Sequence, residues 1–160
     1  MSSAPESPWL EPAAIELAAV ILRGHRQAFG RPLLAGTGPT RDRRQAAQEL
    51  FATATVVLAH DGGADPRFVY ANRAALSLWR RSWREMVGLP SRLSAAPAQR
   101  SERSAALARA RQGAIANYSG IRVDSCGRRF RLEGARLFSL HDGANRSDGQ
   151  AACFSRWHWL

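Results

Sequence analysis

Three stretches in the last third of the chain, IANYSGIRVD, RFRLEGARLFSLH and QAACFSRWHWL, alternate apolar and polar side chains with a period of two. A strand sends successive side chains to opposite faces, whereas a helix with that pattern would scatter its apolar groups around the axis. The connections between them, SCGR and DGANRSDG, are made of turn formers. Parallel neighbours would need crossovers of a dozen residues or more, so these strands must be antiparallel. The chain is committed to a sheet.

Upstream, TVVLAH and RFVYA read as two more strands flanking the loop DGGADP. At FVYANRAALSLW the pattern changes abruptly. Asn72 suits an N-cap, its side-chain oxygen taking a backbone N–H of the first turn of a short helix from Arg73 to Trp79. Ser82-Trp83-Arg84-Glu85 has the spacing of a capping box, and Gly88 is placed to end that second small helix. Pro97 opens a longer helix running to Gln112 and closed by Gly113. Leu107 is its only large apolar residue, so it should pack lightly. The order is then strand, strand, a cluster of small helices, and three strands. It predicts an α+β domain with a five-stranded antiparallel sheet and the helices on one face.

An N-terminal helical extension precedes this domain. Residues 1–10 are rich in Ser and Pro. From Glu11 to Phe29 a helical stripe of Ile15, Ala18, Ala19, Leu22 and Phe29 is widened by Leu17, Val20 and Ile21. A face that broad needs cover, either from the sheet face opposite the small helices or from a second copy of the chain. Gly30 and Pro32 stop it. The linker RPLLAGTGPT leads to a second helix from about Arg41 to Thr53, with Ala47, Leu50, Phe51 and Ala54 on one side. The expected division is residues 1–40 for tail, helix and linker, and 41–160 for the sheet domain.

The formal net charge is +10, and all 23 basic residues are Arg. Codon composition in a GC-rich genome explains that bias; anion or nucleic-acid recognition by the planar guanidinium is the alternative. The scatter of the arginines favours the first. Two cysteines, Cys126 and Cys153, cannot make a four-Cys zinc site. No basic segment followed by an apolar run opens the chain, and AAIELAAVIL is too short to span a bilayer. These features predict a soluble, cytoplasmic protein with no membrane partner.

The run VYANRAALSLW–SW–E–GLPSR, then YSGIRVDSCGRRFR, then GQAACFSRWHW, resembles the bacterial stand-alone MEKHLA-domain proteins over roughly residues 45–160. That family is PAS-like. The resemblance implies a sensory or regulatory module in which the small helices wall a ligand cavity against the sheet. It also implies what is missing. Haem-binding PAS domains use a His on the long helix, and PAQRSERSAALARARQG has none. Flavin photoreceptors use a Cys on the short helix before it, and LPSRLS has none. His25, His60, His141 and His158 form no pair at metal spacing. No metal, covalent flavin or His-ligated haem is expected, and the cofactor, if any, is undefined.

Several residues are candidates for touching a ligand. Tyr70 and Tyr118 carry hydroxyls that either enter a cavity or bond to backbone. Trp79, like Trp83, reads first as core volume. Arg92, in LPSR, sits where PAS cavities often open and can hold an anion, with a surface salt bridge as the plainer alternative. Cys153, alternating with Ala151, Ser155 and Trp157, reads as a buried inert thiol, and Cys126 as an exposed one. A two-residue Cys126-Gly127 turn would set Asp124 opposite Arg129, Val123 opposite Phe130 and Ile121 opposite Leu132. That register also sets Arg122 opposite Arg131. Either Glu133, diagonal to Arg122, or a bound carboxylate or phosphate would offset the repulsion.

Three functions remain open on these grounds. The first is a PAS-like module that binds a small molecule, neutral or anionic, non-covalently and signals by association, for instance as a homodimer through the N-terminal helix. The second is a small enzyme using the same cavity, although no acid–base or nucleophile–base set can be placed together. The third is an Arg-rich nucleic-acid-binding protein. It lacks any helix-turn-helix or RNP-type signature, so nucleic acid is not an expected partner.

Overall fold

The computed structural model describes residues 6–35, 42–141 and 147–160, the side chains of 147 and 148 excepted. The first five residues, most of the linker after Ala35, the expected helix start at Arg41 and most of the DGANRSDG turn lie outside the described residues. The strands are β1 (Val56–His60), β2 (Phe68–Ala71), β3 (Ile115–Val123), β4 (Arg129–His141), β5 (Ser147–Phe154) and β6 (Arg156–Trp159). All pair antiparallel in the order β2-β1-β5-β4-β3, with β6 beside the first half of β4.

The last expected strand is therefore broken in two at Ser155. β5 and β6 keep one register against β4, with Arg136 opposite Cys153 before the break and Glu133 opposite Arg156 after it. Gly134 lies across from the break at φ +64, a conformation that suits a residue without Cβ. It shifts the alternation of β4 by one, so that Phe130 and Leu132 share a face with Ala135 and Leu137. The expected alternation of Cys153, Ser155 and Trp157 fails for the same reason. Cys153 belongs to one sheet face, and Trp157 stands against Leu132 on the other.

Helices cover both faces. On one side, α1 (Pro12–Phe29) and α2 (Arg43–Ala52) pack over Val57, Ala59, Phe138, Leu140 and Cys153. Of the two covers open to the first helix, the sheet is the one adopted. Its buried line runs through Ala18, Ile21, Gly24 and His25, rotated slightly from the expected stripe. Gly24 allows this approach, since a Cβ there would lie 3.3 Å from the Phe138 ring. An exposed Glu16–Arg43 ion pair joins the two helices.

On the other side lie α3 (Arg73–Trp79), α4 (Trp83–Met86), a 3-10 turn at Ser91–Ser94 and α5 (Arg100–Gln112). The capping box at Ser82 and Glu85 is formed as expected. Asn72 caps α3, accepting from Ala75 N at 3.1 Å. The buried face of α5 is Arg103, Ala106 and Ala110, small alanines around one cation.

The β3–β4 hairpin corrects the sequence reading. Its loop is not a two-residue turn but Asp124–Arg128, organised by the Asp124 carboxylate, which accepts from Cys126 N at 2.9 Å and Arg128 N at 2.8 Å. The observed partners are Val123 with Arg129, Arg122 with Phe130, and Ile121 with Arg131. This is a slip of one residue, and a slip of one sends every side chain to the other face. Arg122 therefore does not oppose Arg131. It turns inward, while Arg131 turns out, and the proposed repulsion between them, with its relief by Glu133 or by an anion held between the two, has no structural basis.

Candidate functional site

Between the sheet and the small helices lies a cavity of about 40 Å³. Leu58, Phe68, Trp79, Leu132, Leu137 and Phe154 give it apolar walls; His60, Arg103, Tyr118, Arg122 and Gln150 add polar ones. It adjoins an outer cleft of about 510 Å³ lined by Ser91, Arg92, Arg100 and Arg111 among others. His60, Arg103, Leu107 and Gln150 line both spaces, so they form a throat between them.

Arg122 and Tyr118 project from the same face of β3, two residues either side of Gly120. Arg122 donates to the Tyr118 hydroxyl at 3.2 Å and to the Ile121 carbonyl at 2.9 Å, and Tyr118 donates to Glu102 at 2.8 Å. Gly120 makes the first bond possible: a Cβ there would lie 2.5 Å from the Tyr118 hydroxyl. Burial raises the Tyr118 phenol above its ordinary value, opposed by Arg122.

Arg103 reaches the same region from α5 and is 9 % exposed. Burial, with the Arg122 charge second, lowers its pKa to about 10. The Arg103 guanidinium thus remains charged at neutral pH. Among the described residues neither Arg103 nor Arg122 has a carboxylate partner; Glu102 reaches Arg122 only through Tyr118. Buried cations without counter-ions are costly, so this is an unusual arrangement for a structural core.

The candidate residues separate cleanly. Trp79, Tyr118 and Arg122 meet at the cavity. Trp79 also has the core role, edge-on to Phe130 at 5.0 Å. Arg92 stands at the outer cleft in a half-exposed ion pair with Asp65 at 3.2 Å. Tyr70 lies on the other sheet face, edge-on to Trp83 at 5.7 Å. Arg131 and Glu133 also face away from the cavity, with Glu133 3.9 Å from His158. The thiol of Cys153 is buried under α1 and α2; burial raises its pKa, against the effect of nearby Arg136.

Sequence reasoning passed over Arg103, Gln150 and Ser91, and weighed His60 only as a metal ligand. A signal existed for Arg103, which falls on the same helical stripe as Ala106, Leu107 and Ala110. Among 23 arginines it did not stand out. Among the described residues, no cluster of three or more His, Cys, Asp or Glu is placed to hold a metal ion.

The model of the MEKHLA domain matches residues 15–159, nearly the whole chain, with most of α1 and all of α2 included. The chain belongs to the MEKHLA-domain family. Its fold is PAS-like. A PAS domain from Colwellia psychrerythraea superposes with a TM-score of 0.62 at 13% identity, covering 73% of this chain and 95% of that one. An RNA-binding light-oxygen-voltage receptor gives 0.62 at 22% identity, covering 79% of this chain and 36% of the longer one. A variant of Vivid gives 0.56 at 15%, covering 85% and 99%. At such identities the likeness is one of fold. No curated protein sequence is detectably similar. Among the described residues, no helix of this MEKHLA-domain protein is long and apolar enough to cross a membrane.

Proposed function

We propose that this MEKHLA-domain protein is a sensory or regulatory module that binds a small organic anion non-covalently at the throat. One observation carries the reading: Arg103 and Arg122 are buried at an apolar cavity with no carboxylate between them. A ligand carboxylate or phosphate would neutralise them through charge-assisted hydrogen bonds in a poorly solvated site. Its apolar body would lie in the outer cleft of about 510 Å³, against Pro66 and Leu107. Because α5 contributes mainly alanine to the core, drawing Arg103 toward a ligand shifts a lightly held helix. That is a physical route for a signal.

The signal would pass by association, either with a partner or as a homodimer through the N-terminal helix, in the cytoplasm. The main stripe of α1 is occupied by the sheet, so its half-buried flank at Leu17 and Val20 is the part left for such a contact.

Thermal unfolding with phenylacetate and with its methyl ester tests the ligand reading. The acid should raise the melting temperature saturably and the ester should not, since ligand binding to the native state alone stabilises it by mass action. Arg103→Leu should abolish the response. Equal responses to acid and ester, or an undiminished response in Arg103→Leu, would contradict the reading.

A further inference from the structure

The throat holds more than cations. His60, Gln150 and Ser91 are each more than nine-tenths buried, and each has a polar atom without a partner: His60 Nε2, Gln150 Oε1 and Ser91 Oγ. His60 and Gln150 are direct neighbours across β1 and β5, and all three residues line the outer cleft together with Arg103. Buried polar atoms are seldom left unpaired, and three at the mouth of one cavity point to a missing partner.

Their other bonds fix what that partner must offer. His60 Nδ1 lies 2.8 Å from the Asp61 carbonyl, so it carries the ring proton and Nε2 is an acceptor. Burial holds this imidazole below its ordinary pKa, and the Arg103 charge acts in the same direction. The Gln150 amide donates to the Leu107 carbonyl at 2.8 Å, which leaves Oε1 as a second acceptor. The Ser91 hydroxyl can take either role. Two vacant acceptors thus stand beside a guanidinium that offers only donors.

We infer that the ligand is a hydroxy acid, with its carboxylate on Arg103 and its hydroxyl donating to His60 Nε2 or Gln150 Oε1. This rests on the anion-binding reading above and narrows it. A plain carboxylate satisfies Arg103 but leaves both acceptors desolvated and unpaired. An amino acid also brings donors, but its ammonium would stand among Arg92, Arg100, Arg103 and Arg111. Asp65, the one acid among the described residues lining the cleft, already holds Arg92. Like charges at that range repel strongly where water is scarce. The neutral hydroxyl is the donor that fits.

Isothermal titration at pH 7.5 with mandelate, phenylacetate, O-methylmandelate and phenylglycine tests this. Mandelate should bind at least tenfold tighter than phenylacetate or the methyl ether, with phenylglycine weakest. Removing the acceptor that holds the hydroxyl, by Gln150→Met or by His60→Leu, should bring the mandelate-to-phenylacetate ratio toward one. Equal binding of the three acids without an ammonium overturns the inference and leaves anion binding standing, as does a mandelate preference that survives both substitutions. Tighter binding of phenylglycine also overturns it. No binding by any of the acids overturns the anion reading as well.

Discussion

Asn72 satisfies four backbone groups with one side chain. Oδ1 accepts from Val57 N and Ala75 N at 3.0 and 3.1 Å, and Nδ2 donates to the Leu50 and Thr55 carbonyls at 3.1 and 2.7 Å. The cap on α3 was legible in the sequence because it is local. The other three bonds reach the end of α2 and the start of β1, which no local pattern reveals. The two buried histidines show a similar limit: their types are plain in the sequence, but their burial is set by distant segments. Burial is the first cause lowering the pKa of both His25 and His60 from 6.5, so the unfolded chain binds protons that the native state refuses. Stability is therefore fully present well above 6.5 and lost as pH falls through and below it, by at most about 1.4 kcal/mol per pH unit for each histidine. Urea unfolding at pH 7.5, 6.5 and 5.5 should show that decline, and His60→Gln should reduce its slope. Stability that holds level or rises on acidification would refute this account.

Among the elements, those with strong periodicity or explicit end signals were readable: α1, the capping-boxed α4, β1, β2 and the long strands. The details that place the site were not. A two-residue Cys126-Gly127 turn and the five-residue Asp124–Arg128 loop are both locally acceptable. The choice falls to the Asp124 carboxylate, and with it the face on which Arg122 lies. The shift in alternation at Gly134 and Ser155 is likewise invisible until β4 and its neighbours are paired. The cover for α1 was legible only as two alternatives, sheet or second copy, and the sheet is what it meets. Deleting residues 1–38 should uncover Val57, Phe138, Leu140 and Cys153, lowering the melting temperature by more than about 10 °C and reducing solubility. Losing several buried side chains at about 1.5–3 kcal/mol each is large against a typical domain stability. A monomeric truncated protein with an unchanged melting temperature would show that α1 contributes nothing there.

For the whole molecule, the sheet separates two environments of different character. The α1–α2 face is a mainly apolar core that also buries the His25 imidazole and the Tyr70 hydroxyl. The opposite face carries an apolar cavity into which β3 and α5 bring two arginines with no carboxylate partner among the described residues, with unpartnered acceptors at the entrance. The family resemblance implied a cavity walled by the small helices without deciding the sheet face, and the sequence reading offered Trp79, Tyr118 and Arg122 as ligand candidates, but it grouped Arg122 with Arg131 through the wrong register. A polar cluster assembled from α5, β1, β3 and β5 becomes visible only once the chain is folded. The central claim is that Arg103 and Arg122 receive an anion. Its most direct test is to follow the arginine Nε–Hε resonances by NMR while titrating phenylacetate at constant ionic strength. The account predicts saturable shifts of the Arg103 and Arg122 signals with one common affinity, and little change at Arg131. Small, unsaturable shifts spread evenly over all the arginines would contradict it.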